Sequence, residues 1–208
     1  MPRTAAVILA GGLGTRLGGV RKSSLKVGGI TLLDRVAFTL AGADAIVVTI
    51  GGMAPVPADG RFISIPDLHP ESQGPLAGLA AAVDYLLLTG QPPEIVVTAA
   101  VDTPFLPPDF FQRARDAIAG GAPAIVARYG VQDYPTNAAW RLALLADLPR
   151  QMLAGQVPHG LKRLAATLNA EPLEWEKEAA GDPFANVNTL RDLMNLELRL
   201  QSSTASRK

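Results

Sequence analysis

The sequence contains no cysteine and only two histidines among its 208 residues. Without cysteine the chain cannot form disulfides, iron–sulfur clusters or thiolate zinc sites, and two isolated histidines leave little for any other transition-metal site. Neither sign of charge is in excess, since 19 Lys+Arg balance 19 Asp+Glu, and nucleic-acid-binding proteins typically carry a basic surplus. No apolar run reaches the roughly 18 residues that a membrane span needs. We therefore expect a cytoplasmic protein that binds neither nucleic acid nor membrane.

Length and composition predict a single folded domain. A chain of 208 residues is the size of one α/β domain, and its 48% hydrophobic content supplies a substantial core. No stretch of the sequence resembles a linker between domains. We expect one domain over residues 1–201, followed by a disordered tail at 202–208, because SSTASRK has no large apolar side chain.

Buried strands alternate with helices along the first part of the chain. Strands are predicted from apolar runs at residues 4–10, 45–50, 61–65, 94–101 and 123–128. Helical spacing follows Thr31, Pro75 and Pro108, and Thr31 is a candidate N-cap. This alternation predicts an α/β fold, a three-layer sandwich around a Rossmann-like, mostly parallel sheet.

The later segments are expected to continue this architecture. Their predicted elements are helices at 141–154 and 160–168, a strand at 172–176, and a final helix at 189–201 capped by Thr189 with Asp192. Residues 136–142 fit either a strand or a helix. Because ligands of parallel sheets bind beyond the carboxyl ends of the strands, the segments that follow the strands form the candidate site.

Positive charge is concentrated at the start of the chain. Residues 1–33 contain five Lys or Arg and no carboxylate, which leaves 14 Lys+Arg against 19 Asp+Glu in residues 34–208. Seven of the 20 glycines lie in the same N-terminal segment. A cationic, glycine-rich loop after a strand is typical of a phosphate-binding site.

The loop LAGGLGTRLGGVRK at residues 9–22 offers backbone amides to phosphate oxygens, and Arg16 and Lys22 add positive charge. It is not a Walker A motif, because Lys-Ser does not follow a glycine at the required spacing. It is not a dinucleotide fingerprint either, since Leu17 stands where the third glycine belongs. The alternative is a flexible surface loop.

Two carboxylates follow predicted strands. Asp102 comes directly after the strand at 94–101, where it could share a Mg²⁺ ion with phosphates or merely initiate a turn. Asp67 could contact a nucleotide or cap its own loop. The GPLAG sequence at 74–78 begins a helix whose first amides could meet a phosphate or base, or serve packing alone.

Nucleophilic catalysis by a Ser–His–Asp triad finds no support. His69 and His159 have no matching partners, and the chain contains no G-x-S-x-G elbow. The run HGLKR at 159–163 either contacts an anionic substrate or forms a solvated helix face.

Six short motifs follow one another along the chain. They are LAGGLGTRLGGVRK (9–22), PD (66–67), GPLAGL (74–79), VDTPFLP (101–107), YPTNA (134–138) and FANVNT (184–189). In this order they resemble the molybdenum cofactor guanylyltransferase (MobA) family. The resemblance implies a fold of the nucleotide-diphospho-sugar transferase type. It also implies a Mg²⁺-dependent enzyme that couples GTP to molybdenum–molybdopterin, giving the guanine dinucleotide cofactor and pyrophosphate.

The resemblance implies three groups of site residues. GTP would be bound by Leu9, Ala10, Gly11, Gly12, Lys22, Thr49, Asp67 and Asp102. Catalysis would rest on Arg16, Lys22 and Asp102, and Asp102 would also hold the Mg²⁺. The molybdopterin substrate would contact Tyr134, Pro135, Thr136, Asn186 and Asn188.

Partners and alternatives follow from the same resemblance. Besides GTP and molybdenum–molybdopterin, a molybdoenzyme or a chaperone would receive the product, and we expect a monomer. The run GLGTRL is similar to the sugar-1-phosphate nucleotidyltransferases. Such an enzyme, or a molybdopterin cytidylyltransferase, is therefore an alternative with the same fold and chemistry. A non-catalytic nucleotide-binding module is the alternative from a different class.

Overall fold

A computed structural model describes residues 1–11, 13–14, 20–51, 60–68, 74–157, 159–176, 181–189, 191–195 and 197–198. Gly12, Arg16 and the tail at 202–208 lie outside these residues, so the expectations for them stay predictions, as does the domain extent of 1–201. Within the described ranges, no helix is both long and apolar enough to cross a membrane.

The described strands comprise one large sheet and two small hairpin-like pairs. In chain order they are β1 (Thr4–Leu9), β2 (Leu13–Gly14), β3 (Val20–Arg21), β4 (Lys26–Val27), β5 (Ile30–Thr31), β6 (Ala45–Thr49), β7 (Ile63–Ile65), β8 (Ile95–Ala100), β9 (Ala124–Tyr129), β10 (Gln132–Arg141) and β11 (Glu171–Trp175). The large sheet has the order β11-β9-β10-β8-β1-β6-β7. Among the described strands of this large sheet, only β10 runs antiparallel to its neighbours, which confirms the mostly parallel sheet.

Helices cover both faces of this sheet. They are α1 (Leu32–Thr39), α2 (Pro75–Leu87), α3 (Phe110–Ala119), α4 (Leu142–Leu145), α5 (Leu148–Leu153) and α6 (Leu161–Thr167). Alternate residues of β1 enter two separate cores: Ile8 packs with α1 and α3, whereas Val7 packs with α2 and the later helices. Every residue of β1 and β8 is buried, as expected for central strands covered on both sides. The three-layer sandwich is confirmed.

Local capping signals place two helix starts where the sequence predicts them. The hydroxyl oxygen of Thr31 accepts a hydrogen bond from the Asp34 amide at 3.0 Å, which caps α1. Pro75 is the first residue of α2, where its missing N–H costs nothing because the first amides of a helix have no intrahelical partner. Gly74 precedes it with φ of +93°, a conformation that glycine adopts without strain.

Three elements differ from the prediction or resolve it. The third helix begins at Phe110 rather than Pro108, because the Phe110 amide closes a turn onto the Pro107 carbonyl at 2.9 Å. The predicted helix at 141–154 is two helices, since Pro149 cannot continue a helix and instead lies in the first turn of α5. Residues 136–141 are strand, the second half of β10.

Candidate active site

The carboxyl ends of three adjacent parallel strands form the floor of a pocket. β6, β1 and β8 lie side by side, and the chain that leaves β1 is held between the other two. The Ala10 amide donates to the Thr49 carbonyl at 2.9 Å, and the Val101 amide donates to the Leu9 carbonyl at 3.1 Å. The pocket has a volume of about 170 Å³ and lies where ligands of parallel sheets bind.

The pocket brings together residues from all six sequence motifs. Its described lining residues are Leu9, Gly11, Lys22, Thr49, Asp67, Gly74, Pro75, Gly78, Ala100, Val101, Asp102, Thr136 and Asn186. Most residues predicted to bind GTP are therefore neighbours in space. Ala10 is buried directly below, with 2% of its surface exposed.

Two glycines allow the backbone and α2 to approach closely at the pocket floor. A Cβ atom on Gly11 would lie 3.0 Å from the amide nitrogen of Gly51, the residue just beyond β6. A Cβ atom on Gly78 would lie 2.6 Å from the Thr49 hydroxyl oxygen, closer than real Cβ contacts. The glycine of the GPLAG helix start therefore seats α2 against the end of β6, and Gly74 and Pro75 at its N-terminus face the same pocket.

Lys22 and Asp102 form an ion pair at one end of the pocket. The Lys22 ammonium donates to Oδ2 of Asp102 and to Oδ1 of Asn188, both at 2.7 Å. The two charged side chains are only 13% and 16% exposed, so little solvent screens their interaction. Two residues 80 positions apart in sequence thus meet beyond the carboxyl ends of β1 and β8, the edge of the sheet where the sequence predicts the site.

The Asp102 turn also anchors the loop that carries both predicted asparagines. The Val187 amide donates to the Asp102 carbonyl at 2.8 Å, and the Val187 side chain is fully buried with Val27 and Leu32. This anchor directs Asn186 to the pocket and Asn188 to Lys22. Asn188, predicted to contact the molybdopterin substrate, therefore contacts the ammonium group of Lys22 at the end of the glycine-rich segment.

A reciprocal cap holds the backbone of this loop. The Asp192 carboxylate accepts from the amides of Asn188 and Thr189 at 2.9 and 2.8 Å, and the Asp192 amide donates to the Thr189 hydroxyl at 3.1 Å. The predicted cap at Thr189 is confirmed, and residues 191–195 are helical. The hydrogen bond from the Asn188 amide, with smaller contributions from Thr189, lowers the pKa of Asp192 below its ordinary value.

Asp67 differs from Asp102 in having no described cation beside it. It lines the pocket on the opposite side, beyond β7, and no described residue donates a hydrogen bond to it. Burial alone raises the pKa of the Asp67 carboxyl above its ordinary value. A half-buried carboxylate with no described donor is placed to accept hydrogen bonds from a ligand.

The segment predicted for the second substrate separates into two environments. The Tyr134 ring stacks on Phe184 with ring centroids 5.3 Å apart, and its hydroxyl donates to Asp182. Burial and this hydrogen bond raise the pKa of the phenol. Tyr134 packs against this aromatic ring and is not one of the described residues that line the pocket.

Pro135 and Thr136 instead line a second cavity, which adjoins the pocket at Pro75 and Thr136. This cavity has a volume of about 510 Å³, and His159 and Lys162 also line it. The Pro-Thr half of the motif therefore lies beside the HGLKR run that the sequence singles out.

The described residues supply one carboxylate for a metal rather than a complete protein ligand set. No group of three or more His, Asp or Glu side chains suited to a metal ion occurs among them. Asp102 beside Lys22 fits a Mg²⁺ ion that takes its remaining oxygen ligands from phosphates and water, the usual composition of magnesium sites for nucleotides.

A family model described as the MobA-like NTP transferase domain matches residues 6–172. The molybdenum cofactor guanylyltransferase of Nitrobacter hamburgensis is 34% identical over 204 residues, which cover 95% of this chain and 94% of the relative. The chain belongs to the MobA-like NTP transferase family. It is a nucleotidyltransferase, as the motifs predict.

Solved structures of low sequence identity share the fold. The molybdopterin-guanine dinucleotide biosynthesis protein A of Archaeoglobus fulgidus superimposes with a TM-score of 0.65 at 20% identity, covering 95% of this chain and 99% of that one. The Rv0371C protein of Mycobacterium tuberculosis H37Rv, crystallised in complex with manganese, gives 0.64 at 18% identity, with coverage of 95% and 98%. These likenesses confirm the nucleotidyltransferase fold predicted from the sequence.

The sequence does not predict the contacts that hold the site residues in place. The contact between Asn188 and Lys22 joins a loop near the C-terminus to one near the N-terminus, and no local pattern encodes it. The Thr189–Asp192 spacing does signal a helix cap, but the sequence alone does not connect this cap to the site. Ala100 lines the pocket although the apolar run in which it lies indicates only a strand.

Proposed function

We propose that the protein transfers GMP from GTP to the terminal phosphate of molybdenum–molybdopterin, forming the guanine dinucleotide cofactor and pyrophosphate. The observation that carries the proposal is the Lys22–Asp102 pair, with Asn188, at the strand-end pocket of a MobA-like chain. The choice of guanine and molybdopterin is supported by the name of the relative from Nitrobacter hamburgensis.

The reaction brings two anions together, so the protein has to position and neutralise charge. A terminal phosphate oxygen of molybdopterin attacks the α-phosphorus of GTP in line. One P–O bond forms as the bond between the α-phosphorus and the oxygen bridging to the β-phosphate breaks, and the electron pair leaves with pyrophosphate. A phosphate monoester is largely ionised at neutral pH, so the attacking oxygen needs no general base.

Lys22 would bind the triphosphate with Arg16 and offset the charge that builds up on the departing pyrophosphate. The described ammonium of Lys22 is already fixed by two acceptors, Asp102 and Asn188, at 2.7 Å each. A cation that is oriented before the reaction stabilises the transition state without reorganising. Leu9, Ala10, Gly11 and Gly12 would line the nucleotide, because the glycine backbone permits close approach.

Asp102 would hold Mg²⁺ together with phosphate oxygens. When bound, the metal would neutralise phosphate charge and orient the reacting groups. The fit rests on a carboxylate that is 16% exposed beside the proposed triphosphate position. The manganese complex of the Mycobacterium tuberculosis protein is consistent with a divalent cation in this fold.

Two further regions of the pocket would contact the substrates. Asp67 and Thr49 would contact GTP, since both line the same wall. Molybdopterin would occupy the side lined by Pro135, Thr136 and Asn186, with Tyr134 and Asn188 supporting it from behind.

The decisive experiment is a pyrophosphate-release assay with Mg²⁺, each of GTP, CTP, ATP and UTP, and either molybdenum–molybdopterin or a sugar 1-phosphate as the acceptor. Release with GTP alone is expected. Release with CTP would identify a cytidylyltransferase, and release only with a sugar 1-phosphate as acceptor would identify the sugar class. Nucleotide binding without release under any condition would indicate a non-catalytic module.

We also propose that the protein acts in the cytoplasm as a monomer whose domain covers residues 1–201, and passes its product to a molybdoenzyme or chaperone. The single pocket-bearing sheet, to which β1 and β11 both belong, supports one domain. Light scattering after size exclusion should give a mass near 21.8 kDa, and twice that mass would contradict the monomer.

A further inference from the structure

A break in strand pairing lies directly behind Asp102. β10 pairs with β8 as far as Ala138 opposite Thr98, and its register with β9 shifts between Tyr134 and Ala138. Residues 135–137 form the resulting bulge. In a regular antiparallel pair, residue 136 would lie opposite Ala100, but no backbone pairing is made there.

The bulge deprives the last amide of β8 of its usual backbone acceptor. The amide of Val101 donates to Leu9 on the β1 side, and successive amides of a strand point to opposite sides, so the Ala100 amide faces β10. The side-chain Oδ1 of Asn137 accepts this Ala100 hydrogen bond at 3.1 Å. An asparagine side chain thus replaces a missing backbone carbonyl.

The same oxygen contacts the turn that carries Asp102. The Thr103 hydroxyl lies 3.2 Å from Asn137 Oδ1 and donates to the Ala100 carbonyl at 2.7 Å. The Thr103 amide also donates to that carbonyl at 3.2 Å. Asn137 and Thr103 are both completely buried. Asp102 is therefore enclosed by residues on either side whose positions Asn137 helps to fix.

The amide nitrogen of the Asn137 side chain, Nδ2, is buried at a cost in stability. It has no hydrogen-bond partner among the described residues. Burying an unpaired donor is unfavourable, and an aliphatic side chain of similar size would avoid it. The oxygen of Asn137, with its bonds to the Asp102 turn, supplies the physical reason for an asparagine here.

We propose that Asn137 is a positioning residue that holds the Asp102 turn in the geometry required to bind a divalent cation beside the triphosphate. The inference rests on the proposed function for the metal role of Asp102. Asn137 is fully buried and does not line the pocket, so it acts through Asp102 rather than by touching substrate.

The test uses Asn137→Leu, which removes both polar atoms while keeping the branching of the side chain at Cγ. The Mg²⁺ concentration for half-maximal pyrophosphate release is expected to rise about tenfold or more, the scale for partners that orient a metal ligand. Binding of Mn²⁺ in the presence of GTP, measured by the loss of the free-ion electron paramagnetic resonance signal, should weaken equally. KM for GTP at saturating Mg²⁺ should change by less than about threefold.

Thr98→Val is the matched control. It removes a buried hydroxyl from the same two strands, where Thr98 accepts from Trp140 Nε1 at 3.2 Å and donates to the Ala138 carbonyl at 3.3 Å. This variant should lower the melting temperature and leave the Mg²⁺ and Mn²⁺ titrations unchanged. Equal shifts in both variants, or unchanged titrations in Asn137→Leu, would overturn the proposal.

Hydrogen exchange separates this inference from the proposed function. The Ala100 amide should exchange at least about tenfold faster in Asn137→Leu than in the native protein, whatever the reaction catalysed. Wild-type protein that releases no pyrophosphate would contradict the proposed function, while unchanged Ala100 exchange would contradict the role of Asn137. If Asn137→Leu does not fold, Thr103→Val should show the same metal shift in smaller degree, and its absence there would count against the proposal.

Discussion

Two carboxylates face the same pocket from opposite walls, and their surroundings are unlike. Asp102 contacts the Lys22 ammonium at 2.7 Å, whereas Asp67 has no described cation or donor and its pKa is raised by burial. An ion pair offsets the cost of removing charge from water, while an isolated carboxylate bears that cost in the folded protein. Asp102 belongs to a preformed charged centre, whereas Asp67 has no such partner among the described residues, so a ligand that donates hydrogen bonds would offset the cost of burying its carboxylate.

The comparison also describes how binding would proceed on each wall. On the Asp102 side a metal would share or replace an existing partner, because Lys22 already occupies Oδ2. On the Asp67 side a ligand would gain a hydrogen bond without displacing any described residue. Removing charge from the two walls should therefore affect chemistry on one side, and binding together with stability on the other.

Removing the Lys22 cation from the Asp102 side of the pocket should have the largest effect. Lys22→Ala is expected to lower turnover by at least about 10²-fold, the scale for losing one preorganised charge contact in a transition state. It also leaves Asp102 without its partner. The measurement is pyrophosphate release at saturating GTP and Mg²⁺.

Lys26→Ala is the control for Lys22→Ala, because Lys26 belongs to the same cationic segment but is exposed on β4. It should retain near-normal turnover. Near-normal turnover of Lys22→Ala itself would remove Lys22 from the phosphate site.

Removing the Asp102 carboxylate from the same side should act by weakening metal binding. Asp102→Asn keeps the size of the side chain and removes its charge, so the Mg²⁺ concentration for half-maximal rate should rise about 10-fold to 100-fold. A Mg²⁺ titration at fixed GTP measures this effect. A titration that coincides with that of the native protein would mean that Asp102 does not bind the metal.

The sequence predicts this centre because parallel strands impose the geometry. Asp102 follows β8, and Lys22 lies in the segment after β1, just past the small β2–β3 pair. β1 and β8 are neighbours in the large sheet, and strand ends in a parallel sheet share one edge. Apolar runs and capping residues likewise predict β1, β8 and the starts of α1 and α2. Such features depend on local chemistry and on one general rule of topology.

Other parts of the site depend on contacts that no local pattern contains. The bulge that brings Asn137 to the Ala100 amide arises where β10 changes register. The approach of Asn188 to Lys22 depends on Val187 entering a small core with Val27 and Leu32. Tyr134, which the motif groups with Thr136, packs on Phe184 because aromatic burial decides its place.

On the other side of the pocket, loss of the Asp67 charge should raise the stability of the free protein and lower its affinity for GTP. Asp67→Asn removes a partly desolvated charge, so the melting temperature of the free protein at pH 7 should rise by about 1–3 °C. GTP affinity should fall about tenfold through loss of a charged acceptor. Because the folded pKa of Asp67 is raised, its contribution to stability is complete below the unfolded pKa and is lost as pH rises through the folded pKa.

The advantage of Asp67→Asn in melting temperature should therefore grow from pH 4 to pH 7. Thermal scans with and without GTP measure both effects, and Asp84→Asn on α2 is the control for loss of one negative charge. A variant that is less stable than the native protein at pH 7 would show that Asp67 has a stabilising partner in solution.

The smallest expected effect comes from Asp192, whose pKa is displaced in the opposite direction. Amide hydrogen bonds from Asn188 and Thr189 favour the charged form and lower its pKa. Its contribution to stability is therefore present above the unfolded pKa and is lost as pH falls through the folded pKa. Asp192→Asn should lower the melting temperature by about 1–3 °C at pH 7, since the carboxylate is only partly buried and solvent screens its charge.

The melting-temperature deficit of Asp192→Asn should shrink as the pH approaches 3. The melting-temperature gain of Asp67→Asn should shrink toward the same pH, so the two variants differ in the sign of the effect. Thermal scans of both variants across pH 3–7 thus show, in one series, how the raised pKa of Asp67 and the lowered pKa of Asp192 affect stability. Asp192→Asn should also reduce turnover slightly, because the Asn188 backbone that it holds carries one of the two acceptors of Lys22. A penalty that is the same at every pH would mean that the cap acts through shape and not through the charge of Asp192.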